Sequence, residues 1–597
     1  MAYEQGVLDK VREIAEDCQG GHVSFCSARC PMHTDAKAYV NLVAEGKLKE
    51  AVLKIREKAF LPGTLGRICA HPCEDECRRN TEFGQPVSIA ALKRYAADKA
   101  DSEDLWDVSK KSASGKTAAV IGAGPAGAQA AIDLVREGHD VTIFDKLNVV
   151  GGMMRVGIPE YRLPRNIIDF EYKYLDKLGV KFKMGVEIGR DILFDELKKQ
   201  YDVVIVANGA HKGFIPPAKG GDAAGITNAA EFLKGVSLDK KTVSIGKKAL
   251  VIGGGDVAMD CARSALRLGA DKVTVASLES ENEMPASKHE QEGALAEGIV
   301  FMPGWGIDEI LNSNGHVSGT VLKQCVSVFD ADGKFNPVYG DEKSQIDCDT
   351  IIFAAGQQVE DVTGGALQQG GGGRYVTDKQ TLSTSIDNVF VAGDCAGGTI
   401  VIEAMALGRK AAISANRFLR GEDLSEGRDF ISEYNFKSEL DIPLDEGVKD
   451  LPRGHTNMLD PVERVKSFDE CDLGFDELTA VEEGSRCLVC ECKKCMVECI
   501  MLNDFTLYPG ALFKQFLEDG DIEPLVVYSC NMCDQCTLVC PKEFKFAELF
   551  GAIRKAKVKA NNGQSPMPGH KAINMHQKLG FSKAFTVRMK GASRPRD

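Results

Sequence analysis

The stretch KTAAVIGAGPAGAQAAIDLVREGHDVTIFD, residues 116–145, decides how this chain folds. Its apolar TAAVI predicts a buried strand, the glycines a sharp turn into a helix, and VTIFD a second strand. Within the turn, Gly122 permits the tight bend, Gly124 lets backbone approach a pyrophosphate, and Gly127 lets the helix pack closely on the strand. Ala126 lies between them, at a helix N-terminus whose free N–H groups suit phosphate. Asp145 ends the second strand, where its carboxylate can accept hydrogen bonds from ribose hydroxyls.

The same plan recurs in KKALVIGGGDVAMDCARSALRLGADKVTVASLE, residues 247–279, with Gly253, Gly255, Asp256 and Val257 at its turn. Two such βαβ units predict two Rossmann-like domains, each a parallel sheet covered by helices. Two dinucleotide folds in one chain suit FAD and a nicotinamide sharing one electron path. NVFVAGDCAGG (388–398) predicts a further strand, which brings Gly393 and Asp394 in as candidates. Ala355 and Gly356, after the apolar DTIIFA, are also candidates.

At 597 residues the chain exceeds a single core. Its 73 basic and 87 acidic residues give a net charge of −14, which argues against nucleic acid as the main partner. No apolar run is long enough to span a membrane, and the opening MAYEQGVLDKVREIAEDCQ is too polar for a secretory signal. The cytoplasm is therefore the expected compartment. From Gly551 to Asp597, eleven Lys or Arg face one Asp. This basic tail is either a solvated face or a surface for an acidic electron-transfer partner.

Twenty cysteines in a reducing compartment are not expected to form disulfides. They gather at both ends, which points to metal sites. CNMCDQCTLVCP (530–541) carries Cys530, Cys533, Cys536 and Cys540 in the C-x2-C-x2-C-x3-C-P pattern of [4Fe–4S] ligands, whose last cysteine serves a second cluster. CLVCECKKCMVEC (487–499) adds Cys487, Cys490, Cys492, Cys495 and Cys499, with one spacing shortened to a single residue. These nine suffice for two clusters with one spare. C-x2-C pairs also serve zinc, but the terminal C-x3-C-P and the flavin fold favour iron–sulfur. The N-terminal set is Cys18, Cys26, Cys30, Cys69, Cys73 and Cys77. A disulfide reductase would need a cysteine pair beside the flavin; VVGGMMRVGI has none, and Cys261, Cys325, Cys348 and Cys395 are isolated.

GAGPAGAQAA, GGMMRVGIPEYRLP (151–164), GGGDVAMDCARSALRLGA, NEMPA and VFVAGD together resemble the glutamate synthase small-subunit family. That family also includes the N-terminal half of dihydropyrimidine dehydrogenase and the large subunit of NADH-dependent ferredoxin:NADP oxidoreductase. The resemblance spans roughly residues 20–420. It implies FAD in the first fold, NAD(P)H in a second fold inserted in it, Gly152 and Arg162 against FAD, and Asp394 near its ribityl–phosphate portion. It also implies an N-terminal Fe–S domain with interlaced clusters, Cys26 and Cys77 on one, and Cys30, Cys69 and Cys73 on the other. Six cysteines fall short of two clusters, so one or two are expected. Some members complete a cluster with glutamine, where this chain has Lys93; His22, His33 and His71 are the alternatives.

The expected order begins with a helical Fe–S domain (1–112). An FAD-binding domain follows in two segments (113–240 and 351–422), with an NAD(H) domain (241–350) inserted between them. A connector (423–480) then leads to a C-terminal ferredoxin-like domain with basic tail (481–597). The whole reads as a subunit exchanging hydride with NADH at FAD and passing single electrons through [4Fe–4S] clusters. Its partner would be a ferredoxin or a large catalytic subunit in a hetero-oligomer, with electron bifurcation an analogy from the family alone. Hydride transfer needs no protein acid or base, so no catalytic side chain is expected. The alternatives are an NADPH-dependent glutamate synthase small subunit and a non-catalytic relay subunit.

NADP-binding members carry a pattern like VTLVYRRSRE before EMPA. Here its arginines fall on Leu278, Glu279 and Glu281. A glutamate repels a 2′-phosphate and can accept hydrogen bonds from a free 2′-hydroxyl, so Glu279 predicts NADH.

Overall fold

In a computed structural model, which describes residues 3–428, 438, 440–444, 447–580 and 582, TAAVI forms strand β1 (Thr117–Ile121), buried from Ala118 onward. Gly122 turns the chain at φ +115°, and a Cβ there would stand 2.2 Å from the Ala207 carbonyl oxygen. Gly127 lies in the helix Pro125–Arg136, where a Cβ would fall 2.0 Å from the Gly122 carbonyl oxygen. Only glycine lets this helix approach so closely.

Four more strands complete the sheet: β2 (Asp140–Asp145), β3 (Lys181–Met184), β4 (Val203–Val206) and, much later in the chain, β13 (Val389–Val391). Their order is β13-β4-β1-β2-β3, all parallel. The order reverses beside β1, the place where doubly wound sheets open a crevice for a ligand.

Between β4 and β13 the chain builds a second parallel sheet from β5 (Ile226–Asn228), β6 (Lys248–Ile252), β7 (Lys272–Ser277), β8 (Val300–Pro303) and β12 (Thr350–Phe353). Its order is β5-β12-β6-β7-β8. The helix Asp256–Arg267 covers it through Ala258, Met259, Cys261 and Ala262, packed on Val251, Val273 and Val275. The βαβ reading does not contain an antiparallel meander, β9 (Trp305–Ser313), β10 (His316–Phe329) and β11 (Phe335–Ile346), set between β8 and β12. The multidomain α/β class holds, with both Rossmann-like sheets and an N-terminal helical region.

The chain divides into two compact units, and this division differs from the expected domain order. The larger, residues 26–436 and 450–488, holds both sheets and the helices Ala36–Ala44, Leu48–Arg56, Pro62–Ile68 and Ile89–Ala100. Those helices close on Tyr39, Val43, Val52, Ile55 and Leu92, all fully buried. The latter half of the expected connector belongs here. The helix Glu477–Ser485 brings in Glu483, which accepts hydrogen bonds from the Ser88 and Gly454 amides, each 2.7 Å away, and pairs with Arg486.

The smaller unit joins residues 1–25, 437–449 and 489–597. The first helix, Gln5–Asp17, therefore belongs with the C-terminal cysteine segment and not with the helical region that follows it. Val11 and Ile14 pack with Phe513 and Phe516 of the helix Pro509–Asp519 and with Phe550 of the helix Phe546–Ala560. Amphipathic patterning explains the grouping: each helix has one apolar stripe, and the three stripes share a core. Residues 583–597 of the basic tail lie outside the described residues.

Candidate nucleotide and iron–sulfur sites

A cavity of about 860 Å³ opens in the larger unit at the C-terminal ends of the first sheet's strands. Gly122, Gly124, Ala126, Asp145, Gly152, Arg162, Gly393 and Asp394 all line it. So do Asp256 and Val257 from the second glycine turn. Gly127, Gly253, Gly255, Glu279, Ala355 and Gly356 do not line it. Gly127 is spent on helix packing, and Gly253 turns the chain at φ +143° against the Ala354 carbonyl.

The cavity wall is built for backbone approach. Gly152 has φ +52°, and a Cβ on it would stand 2.8 Å from the Gly124 Cα. The two glycines thus form a cradle that any side chain would fill, as a pyrophosphate requires. Asp145 accepts hydrogen bonds from the Ala123 and Leu147 amides, each at 2.7 Å, and burial raises its carboxyl pKa. The helix Val401–Arg420 begins at the cavity through Thr399–Val401, so two helix N-termini, counting the one at Pro125, face the same space. Their partial positive charge suits an anion. Burial pushes the Asp394 carboxyl up to about 6, against Arg374. These residues fit FAD.

His211, on the connection leaving β4, also lines the cavity, a residue that no motif in the sequence marks. Burial, helped by Lys146 and Lys234, pushes its pKa down to about 4, so the ring is neutral at physiological pH.

Arg162 lines the cavity, but its guanidinium is committed elsewhere. It pairs with Asp260 at 2.7 Å and Glu290 at 2.9 Å. Arg263 bonds Glu290 and Glu297, and Arg267 and Arg464 also reach Glu297. Tyr161 lies beneath Arg263 and Arg267, 4.7 and 4.0 Å from their guanidinium carbons. Burial raises the Asp260 carboxyl while Arg162 pulls it down. GIPEYRLP therefore ties the flavin side to the second sheet's helices, and Arg162 acts first as that tie. Sequence spacing carries no signal for this network because its members come from four separate segments.

At the second turn, the Glu279 carboxylate sits 2.8 Å from where a Cβ on Gly254 would be. Gly254 is the middle residue of its turn, as Ala123 is of the first. Glu279 thus stands over the glycine turn as Asp145 does over its own. Leu278 turns away, toward Gly306 and Tyr339, and Glu281 is exposed.

The cysteines fall into groups that differ from their order in the chain. In the smaller unit, Cys18, Cys492, Cys495 and Cys540 line one small pocket with Pro509 and Pro541. Cys499, Cys530 and Cys533 surround Cys536 electrostatically and form a second set of four. Sequence order puts Cys18 with the N-terminal cysteines; the structure separates it from them because the first helix packs on the C-terminal segment. In the larger unit, Cys30, Cys69 and Cys73 are mutual neighbours beside the buried Lys93, which stands 5.9 Å over the Tyr39 ring. Cys26, Cys77 and Cys487 pack on one core, and Cys77 and Cys487 both act on Arg79. Among the alternatives to Lys93, His22 lies in the smaller unit, the His33 ring is engaged with the Ser27 carbonyl at 3.3 Å, and His71 faces Glu74 at 3.5 Å.

Among the described residues, no three His, Cys, Asp or Glu side chains converge tightly enough to hold a single metal ion. Zinc would draw its ligands to about 2.3 Å from one centre. The two sets of four thiols in the smaller unit have the ligand number of a [4Fe–4S] cluster. Cys261, Cys325, Cys348 and Cys395 are all free and buried, and burial pushes each thiol up. Among the described residues, no helix is long and apolar enough to cross a membrane.

Comparison with known proteins identifies the family. Residues 116–412 match the family described as pyridine nucleotide-disulphide oxidoreductase, and residues 3–105 match dihydropyrimidine dehydrogenase domain II, 4Fe-4S cluster. The chain belongs to the glutamate synthase small-subunit-like family of FAD- and NAD(P)-binding iron–sulfur oxidoreductases. It is 35% identical to the NADP(+)-dependent formate dehydrogenase subunit beta of Moorella thermoacetica, over 78% of this chain and 70% of that one. It is 32% identical to the NADPH-Fe(3+) oxidoreductase subunit beta of Geobacter sulfurreducens, over 78% and 75% respectively. It is also 32% identical to the glutamate synthase [NADPH] small chain of Escherichia coli, over 69% and 92%.

Proposed function

We propose that this oxidoreductase exchanges hydride with NADH and delivers electrons one at a time to a separate protein in the cytoplasm. The observation that carries the reading is the shared cavity: both glycine turns contribute to it, Gly122 and Gly124 from one and Asp256 and Val257 from the other. Bound FAD would supply the conversion between a hydride's electron pair and the single electrons that a [4Fe–4S] cluster takes. The chain's own contribution is placement. Gly124 and Gly152 leave room for a pyrophosphate, Asp145 on the cavity wall would accept hydrogen bonds from a ribose, and the Arg162–Asp260 pair ties the flavin segment to the nicotinamide fold.

The preference for NADH rests on Glu279. A 2′-phosphate on the ribose would meet its carboxylate above Gly254, with no cation at Leu278 or Glu281 to offset the repulsion. The relatives carry NADP or NADPH in their names, so a preference for NADH would set this chain apart from them. Dye reduction by the purified chain tests both halves of the proposal. We expect NADH to bleach the flavin and kcat/KM to favour NADH by at least about tenfold, roughly 1.4 kcal/mol, with Glu279→Arg eroding the ratio. Native preference for NADPH overturns the selectivity. No flavin bleaching by either nucleotide, with FAD bound, leaves only a relay subunit.

The partner is a ferredoxin or a large catalytic subunit. Two relatives are named as beta subunits, and no segment of this chain's sequence reads as a substrate-converting domain.

A further inference from the structure

We infer that Cys18 is the fourth ligand of the cluster held by Cys492, Cys495 and Cys540, and that it does not serve the N-terminal clusters beside which it lies in the sequence. This rests on the iron–sulfur reading and refines it. A run of the form C-x2-C-x2-C-x3-C would place its first cysteine three residues before Cys492, at Val489. The slip of one residue, which puts the cysteine at 490, leaves that corner vacant. The pocket holding the other three thiols is lined instead by Cys18.

The surroundings of Cys18 are those of a ligand. It closes the helix Gln5–Asp17 and leads into a tight turn, Gln19–Gly21. Burial raises the Cys18 thiol, and the neighbouring Gly20 and Gly510 amides work against that rise. Gly510 lies in the first turn of the eleven-residue helix Pro509–Asp519, whose free N–H groups favour negative charge on the thiolate. A Cβ at Gly510 would stand 2.9 Å from the Cys18 Cβ, so glycine is needed for this approach. The Tyr508 side chain covers Gly20 and Gly21, where added Cβ atoms would stand 2.6 Å from its Cβ and its hydroxyl oxygen respectively. Gln19, 4% exposed, accepts a hydrogen bond from the Asp441 amide at 3.2 Å and fixes the turn. Phe544 and Phe546 line the remaining wall. With Cys18 in place, the smaller unit has two complete sets of four thiolates.

The test compares anaerobically purified full-length Cys18→Ser, Cys492→Ser and Cys26→Ser by iron analysis and by electron paramagnetic resonance after dithionite reduction. Cys18→Ser and Cys492→Ser should lose the same spectral component and at most about four iron atoms per chain, with flavin content unchanged. Loss by Cys18→Ser of the component that Cys26→Ser removes overturns the inference, as does full iron content with an unaltered spectrum. Wild-type protein supplies a measurement that no folding defect can cloud. Iodoacetamide should leave Cys18 unlabelled until iron is chelated, and immediate labelling of Cys18 in the loaded protein overturns the inference. The function proposed above fails separately, through absent bleaching of the flavin by NADH, which leaves these iron and labelling results unaffected.

Discussion

Gly152 and His211 show how single residues set the properties of the flavin cavity. A side chain at Gly152 would have to adopt φ +52° and ψ −137° and would intrude on Gly124. Such backbone costs about 1–3 kcal/mol for any residue with a Cβ. Gly152→Ala should therefore fold but lose FAD by more than about tenfold in affinity, roughly 1.4 kcal/mol, read from flavin fluorescence released on dilution. His211 has a pKa of about 4 in the fold against the ordinary 6.5. Between those values the unfolded chain binds the proton and the folded chain does not, so stability falls as pH drops from about 6.5 toward 4. Allowing for solvent in the cavity, the loss is on the order of 2 kcal/mol. Flavin-free His211→Gln should lose that share of the acid sensitivity in urea titrations at pH 5 and 7.5; an unchanged difference between the two pH values would count against it.

At the scale of elements, the two strand–turn–helix–strand units are readable because all their determinants are local. Apolar runs, three glycines and a terminal acid lie within about thirty residues, as such a motif requires. Arg162 is readable as a cavity residue but not as a tie, since its partners Asp260 and Glu290 lie on helices 98 and 128 residues further along. The cysteine groups escape sequence reading for a similar reason: proximity in the chain is not proximity in space. Cys18 precedes Cys26 by eight residues, yet the apolar stripe of its helix belongs to the core around Phe513. The shortened spacing at Cys490 is the one visible sign of a missing corner. Cys487 follows the helix Glu477–Ser485, which packs into the core around Tyr39, beside Cys26 and Cys77. We expect Cys487→Ser to diminish the same spectral component as Cys77→Ser and to spare the one lost with Cys492→Ser. The reverse pattern would return Cys487 to the C-terminal set.

For the molecule as a whole, the nucleotide folds account for one unit, while the first and last segments of the sequence make up most of the other. Residues 3–25 pack with residues 489–580, while everything from Cys26 to Arg428 builds the larger unit. The smaller unit therefore cannot be completed in the order in which the chain is made. Cys18 leaves the ribosome 522 residues before Cys540. At roughly 5–20 residues per second, that is about half a minute to two minutes during which the first helix has no partner. Iron–sulfur loading of this unit becomes a late event, after the nucleotide folds have had time to form. Any chain that stops short of Cys540 carries an unfilled set of thiols, so a complete cluster here certifies synthesis through that residue.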